Sequence, residues 1–214
     1  YNPSWIEEGT AEIAKEKSSR DAVGLADGAE AGYADLYPGG SRSRESYGMA
    51  TVYGRAARYL YHSPNAGLVD TPEDSNSTYY GASWLFHRFL TDAWGSGDED
   101  AFHSALNTGG RDVSRIEAVT GQSIETLIGA FAAAIGVEGL ADEATATDRF
   151  DSYDFVGISQ SAQTYPDPWP FCWYDEPFSS TEWSFSTVYR HAPFFFDLAT
   201  TGDAVRLDVT TTTG

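Results

Sequence analysis

Apolar positions recur at helical spacing through the first two thirds of the chain and at strand spacing only near its end. Ser4-Trp5-Ile6-Glu7 has the form of a capping box, in which a hydroxyl and a carboxylate satisfy the free N–H groups of a helix start, and helix formers run on to Lys17. A Gly-rich stretch from Asp21 to Ser43 reads as loop with one short helix. Gly48 to Tyr61 carries Met49, Val52, Tyr53, Ala56, Ala57 and Leu60 on one face, which predicts an amphipathic helix ending before Pro64. Tyr79 to Trp94 is apolar on most faces and predicts a central buried helix stopped by Gly95. Three shorter helices follow: Asp98 caps Glu99 to Leu106, Asp112 caps Val113 to Thr120 with Gly121 as terminator, and Ser123 caps Ile124 to Ile135.

The pattern then changes. Aromatics and prolines crowd Tyr165 to Phe178, and Val188 to Phe196, the turn Thr201-Gly202-Asp203, and the alternating Val205, Leu207 and Val209 predict a hairpin. The expected fold class is therefore α+β, with a helical lobe over residues 1–148 and a small β-rich, sandwich-like domain over residues 149–214 that continues beyond Gly214.

Composition narrows the partners. With 214 residues, 41% hydrophobic and 14% aromatic, the chain can bury a core, which excludes disorder as its main state. Thirty-two acidic against 13 basic residues give a net charge of −19, a surface that repels phosphate backbones and excludes nucleic acid as a partner. An acidic chain whose lysines are Lys15 and Lys17 points to a halophile or an exported protein, extracellular or at the cell surface. Cys172 stands alone, so there is no internal disulfide. No apolar run reaches the roughly 18 residues a membrane span needs. Asn76-Ser77-Thr78 is a glycosylation sequon, usable only on export. Tyr1 and the terminal threonine run look like cut ends, so a processed or partial piece of a longer protein is expected.

The first helix places Glu8, Glu12 and Glu16 on one ridge, where like charges cost about 0.2–0.5 kcal/mol per pair and a solvated acidic face is the plain reading. The surrounding word, Trp5-Ile6-Glu7-Glu8-Gly9-Thr10-Ala11-Glu12, resembles the Trp-x-x-Glu-Gly-x-Ala segment of gluzincin zinc metallopeptidases, the aminopeptidase N-like and thermolysin-like enzymes. Tyr79 to Leu90 and the Thr120-Gly121 junction likewise resemble the helical lobe that follows the ligand glutamate in secreted members, so the resemblance covers residues 4–138.

The resemblance implies zinc as cofactor, a peptide or protein substrate, Glu8 as the third zinc ligand, and Glu12 holding the second ring N–H of a ligand histidine. Gly9 would let a neighbouring helix approach closely. Tyr79 and Tyr80 are candidate donors to the tetrahedral intermediate, although the family's spacing falls on Thr78. The family's His-Glu-x-x-His is absent: His62, His87, His103 and His191 form no i, i+4 pair, and His87, inside an apolar helix, reads as a core histidine. The chain alone is therefore expected to be inactive, its histidines supplied by a missing N-terminal segment or by a partner chain. The alternative is a noncatalytic extracellular or surface-assembly module, a pseudoenzyme on the same scaffold.

Overall fold

The computed structural model describes residues 4–61, 68, 76–95, 97–110, 112–138, 150–162, 169, 173–174 and 195–196. Three helices carry the architecture: α1 (Ser4–Val23), α3 (Tyr47–Tyr61) and α4 (Asn76–Trp94), with the short α2 (Tyr33–Leu36) and a 3-10 turn at Pro38–Gly40 between the first two. The spacing of apolar residues explains α3, whose Met49, Val52, Tyr53, Ala56, Ala57 and Leu60 are all buried. Helix α4 is the central element foreseen from its all-round apolarity: every residue from Gly81 to Thr91 is buried. The chain leaves it at Gly95, whose N–H returns to the Thr91 carbonyl at 2.7 Å.

These three helices lie closer together than side chains would normally allow. A Cβ at Gly81 of α4 would fall on the backbone carbonyl of Arg55 in α3, and one at Gly48 of α3 would lie 2.5 Å from the Lys15 carbonyl oxygen of α1. Glycine at both positions removes the obstruction, and its cost in helix propensity, about 1 kcal/mol each, is the condition for close packing.

Around this core lie α5 (Glu99–Asn107), α6 (Val113–Thr120) and α7 (Ile124–Val137). Most of their ends follow local rules, although Asp112, at the N-cap position of α6, makes no side-chain capping hydrogen bond among the described residues. Asp98 accepts the Ala101 N–H at 2.9 Å, Ser123 accepts that of Thr126 at 3.3 Å, and Gly121 terminates α6 in the left-handed region at φ 70°.

The α+β expectation is overturned: among the described residues the fold is helical, with eight α-helices and no β-rich domain. Residues 150–162, assigned above to the β-rich unit, contain α8 (Phe155–Ala162), which is preceded by a single bridge between Ala31 and Tyr153. Phe150, Tyr153, Phe155, Ile158 and Trp169 are buried in the same core as α1, α3 and α4. Trp169 stacks on Phe155 with centroids 4.4 Å apart and donates its indole N–H to the Ile135 carbonyl at 3.2 Å. Aromatic density in this region thus fills the surface of a helical core rather than a sheet face. The extended segments are two-residue pieces, β1 (Trp173–Tyr174) and β2 (Phe195–Phe196), paired in parallel. Val188 to Phe194 and the Val205 to Val209 run lie outside the described residues. Within the described residues no single helix is long and apolar enough to cross a membrane.

The glycine contacts give a paired expectation for urea unfolding. Gly81→Ala places a methyl on backbone and should lower stability by about 1–3 kcal/mol or more. Gly54→Ala, in the same helix packing system but facing open space, should raise it by about 0.5–1 kcal/mol.

Candidate functional site

The carboxylates of α1 do not form a solvated ridge. The buried positions of this helix, Trp5, Ile6, Gly9, Glu12, Ile13, Glu16, Ser19 and Arg20, recur every three to four residues and include two of the three glutamates. Glu16 is fully buried: Arg20 Nε donates to it at 2.6 Å, Trp84 Nε1 at 2.7 Å and Arg88 Nη1 at 3.4 Å. Glu12, one turn earlier and 7% exposed, accepts from Arg55 Nη1 at 2.7 Å and from Lys15 Nζ at 3.2 Å. Glu8, another turn earlier, is half-buried and has no hydrogen bond or ion pair among the described residues. Pairing therefore fades along the helix toward its N-terminus, and Glu8 is the carboxylate left with free acceptor capacity.

Beside Glu8 the two helices meet without a spacer. A Cβ on Gly9 would overlap the His87 imidazole at Nδ1, Cε1 and Cγ. Close approach at Gly9 was expected from the sequence, and its partner is α4. The ring of Trp5 meets that of His87 edge-on, with centroids 5.7 Å apart at 70°, and lies 5.2 Å from Phe86. His87 Nδ1 lies 2.8 Å from the Ser83 carbonyl, which can only accept, so the proton sits on Nδ1 and Nε2 carries a bare lone pair. That nitrogen, Trp5 Nε1 and Ser83 Oγ are buried without a hydrogen-bond partner among the described residues. Complete burial lowers the His87 pKa to about 4, outweighing the Ser83 hydrogen bond that raises it, and keeps the ring neutral. His87 is thus a core histidine.

Tyr79 and Tyr80 stand half-buried in the first turns of α4, their rings 5.8 Å apart. The Arg55 guanidinium lies 4.9 Å from the centre of the Tyr80 ring while holding Glu12, so Arg55 joins two of the sequence-nominated residues, Glu12 and Tyr80. Thr78, where the family spacing falls, is buried.

Sequence reasoning missed the densest electrostatic feature. Arg88, fully buried, donates to Glu99 at 2.7 Å, to Asp92 at 2.8 Å and to Glu16 at 3.4 Å. Arg20 extends the cluster to the Ala29 and Ser152 carbonyls, each at 2.8 Å, and lies 4.9 Å from the Tyr153 ring centre. Asp92 in turn accepts from the Ser152 hydroxyl at 2.8 Å. Burial opposes the charge on Arg88, but Asp92, Glu16 and Glu99 more than restore it and hold the guanidinium well above its ordinary value. Burial pushes Asp92 up despite its pairing with Arg88. The signal was present as two i, i+4 pairs, Glu16 with Arg20 and Arg88 with Asp92, the second inside an otherwise apolar helix.

His103 completes the buried set. Thr91 Oγ1 gives its proton to the His87 carbonyl at 2.7 Å and so accepts from His103 Nε2 at 2.9 Å, leaving Nδ1 bare. Burial, aided by His87 and Arg88, lowers the His103 pKa to about 3. His62 and His191 lie outside the described residues.

A catalytic zinc takes three protein ligands, and no group of three or more His, Cys, Asp or Glu placed to hold a metal exists among the described residues. Among the described residues Glu8, half-buried and without a partner there, has a carboxylate with the capacity to supply one such ligand and no more. No family model, curated protein or solved structure matches this chain.

Two outcomes follow for stability. Arg88→Met strands Glu16, Asp92 and Glu99 without their common cation and should cost about 3–5 kcal/mol by chemical denaturation. The depressed values of His87 and His103 mean that the unfolded chain takes up protons below pH 6.5 that the folded chain refuses until about pH 4 or lower. Stability is then fully present above about pH 6.5 and falls as the pH drops below it, by up to about 1.4 kcal/mol per unit for each histidine. The raised Asp92 acts in the opposite sense, since the folded chain takes up its proton first as the pH falls, so the histidine contribution is read from the comparison with a variant that lacks the imidazole. His87→Phe should flatten that slope.

Proposed function

We propose that this chain is the C-terminal portion of a secreted zinc metallopeptidase of the gluzincin type, with Glu8 as one metal ligand and the His-Glu-x-x-His segment outside the chain. The observation that carries the reading is the state of Glu8. It is a half-buried carboxylate with no partner among the described residues, in a helix whose next two inward glutamates are matched by cations. Its neighbour Gly9 is packed against His87, which gives the family's Glu-Gly pair a physical purpose in this chain.

When bound, zinc supplies Lewis acidity toward a peptide carbonyl. This chain's own part is to present Glu8 from a helix that is locked against α4. Glu12 is held by Arg55 and Lys15 but retains lone pairs that can accept one further N–H, so support of a ligand histidine remains open to it. Tyr80, pinned under Arg55, is held in place to donate a hydrogen bond, and Tyr79 stands beside it with its ring 5.8 Å away.

The gene sequence upstream of Tyr1 tests the proposal. A His-Glu-x-x-His is expected within about 20–40 residues, the span of one helix and a turn. The full-length product should bind one zinc, and Glu8→Gln should weaken that binding by about 100-fold or more. A complete gene without the motif would leave the noncatalytic helical module as the reading.

A further inference from the structure

The imidazole of His87, on α4, lies against the backbone of α1 at Gly9, directly beside Glu8. We infer that His87 is a positioning residue for Glu8, setting the depth and rotation of the first turns of α1 through its seat on Gly9 and thereby the direction of the neighbouring carboxylate. The inference rests on the reading of Glu8 as a metal ligand.

Three contacts give the imidazole this leverage. Its Nδ1–H is tied to the Ser83 carbonyl at 2.8 Å, which fixes the ring plane relative to α4. Its Nδ1–Cε1 edge lies where a Gly9 side chain would be, so α1 can neither rotate a larger residue into this position nor move inward. Trp5, one turn before Gly9, meets the ring edge-on and is itself 1% exposed, which anchors the N-terminal turn on the same surface. Glu8 lies between these two anchor points, and a helix held at residues i−3 and i+1 cannot redirect the side chain at i without breaking a buried contact. Among the described residues the Glu8 carboxylate has no hydrogen bond or ion pair of its own to hold it. Outer groups that orient a ligand without touching the metal typically contribute 10–100-fold to affinity.

The test is a double-mutant cycle in the full-length gene product, titrated with Zn2+ alone against a chromophoric chelator, with folding checked by circular dichroism. His87→Gln removes the flat ring and should lower zinc affinity about tenfold or more while the helical spectrum is kept. His87→Phe retains a flat ring on Gly9 and should recover most of that loss. In the Glu8→Gln background, His87→Gln should have no further effect, because the carboxylate it aims is gone. Unchanged affinity in His87→Gln, or losses that add to that of Glu8→Gln, would overturn the inference. A His87→Gln chain that fails to fold would overturn it too, by making the residue purely structural. Glu8→Gln binding zinc like the unaltered protein, or an unaltered protein that binds none, would overturn the functional reading itself and the inference with it.

Discussion

Arg88 has no access to solvent, and the whole helical arrangement is organised around giving its charge a reason to stay. A guanidinium removed from water costs several kcal/mol unless carboxylates and acceptors surround it, and here Glu16 arrives from α1, Asp92 from one turn along α4, and Glu99 from the first turn of α5. Arg20 and Trp84 satisfy the remaining capacity of Glu16, and the Ser152 hydroxyl and backbone satisfy Asp92. Three carboxylates and two guanidiniums thereby tie α1, α4, α5 and the segment before α8 into one register. Exchange of such a cluster for apolar residues can be neutral in stability, so its importance here lies in alignment. An apolar interface tolerates sliding by a turn, whereas this one leaves an ion unpaired if any member moves.

That constraint acts together with the glycine contacts. Gly48 and Gly81 bring α3 against its neighbours at backbone distance, and Gly9 does the same for α1 against the His87 ring. Close approach shortens the reach that Glu16 needs to find Arg88 and that Glu12 needs to find Arg55. The gradient along α1 follows. Glu16 is saturated in the interior, Glu12 is held at the rim, and Glu8 emerges half-buried and unmatched. A strong net negative charge makes acidic side chains common on this surface, and Glu8 differs from most of them in its half-burial between the buried Trp5 and Gly9.

Much of this was legible from one dimension. Helices α3 to α7 follow from apolar periodicity and from caps whose hydrogen bonds form within four residues, such as Asp98 and Ser123, because those interactions are local. Helix α1 was foreseen at its start and underestimated in length, since its last turn is held by Arg20 reaching across to Ala29 and Ser152, a contact invisible to local pattern. The β-rich unit was misjudged over residues 150–162. Aromatic residues suit a pleated surface and a helical core alike, and Phe155 and Trp169 stack on each other in the latter.

The sequence by itself determined where the helices up to Val137 lie, that α4 is the buried axis, and that the chain carries a strong net negative charge. These rest on short-range hydrogen bonds, side-chain period and net charge, all additive along the chain. Only the tertiary structure decided which of three equally spaced glutamates is paired, that Gly9 meets His87, and that Arg88 sits at the centre of the ion cluster. Those outcomes depend on residues brought together from far along the chain, 43 positions apart for Glu12 and Arg55 and 72 for Glu16 and Arg88, and on desolvation that no local pattern encodes.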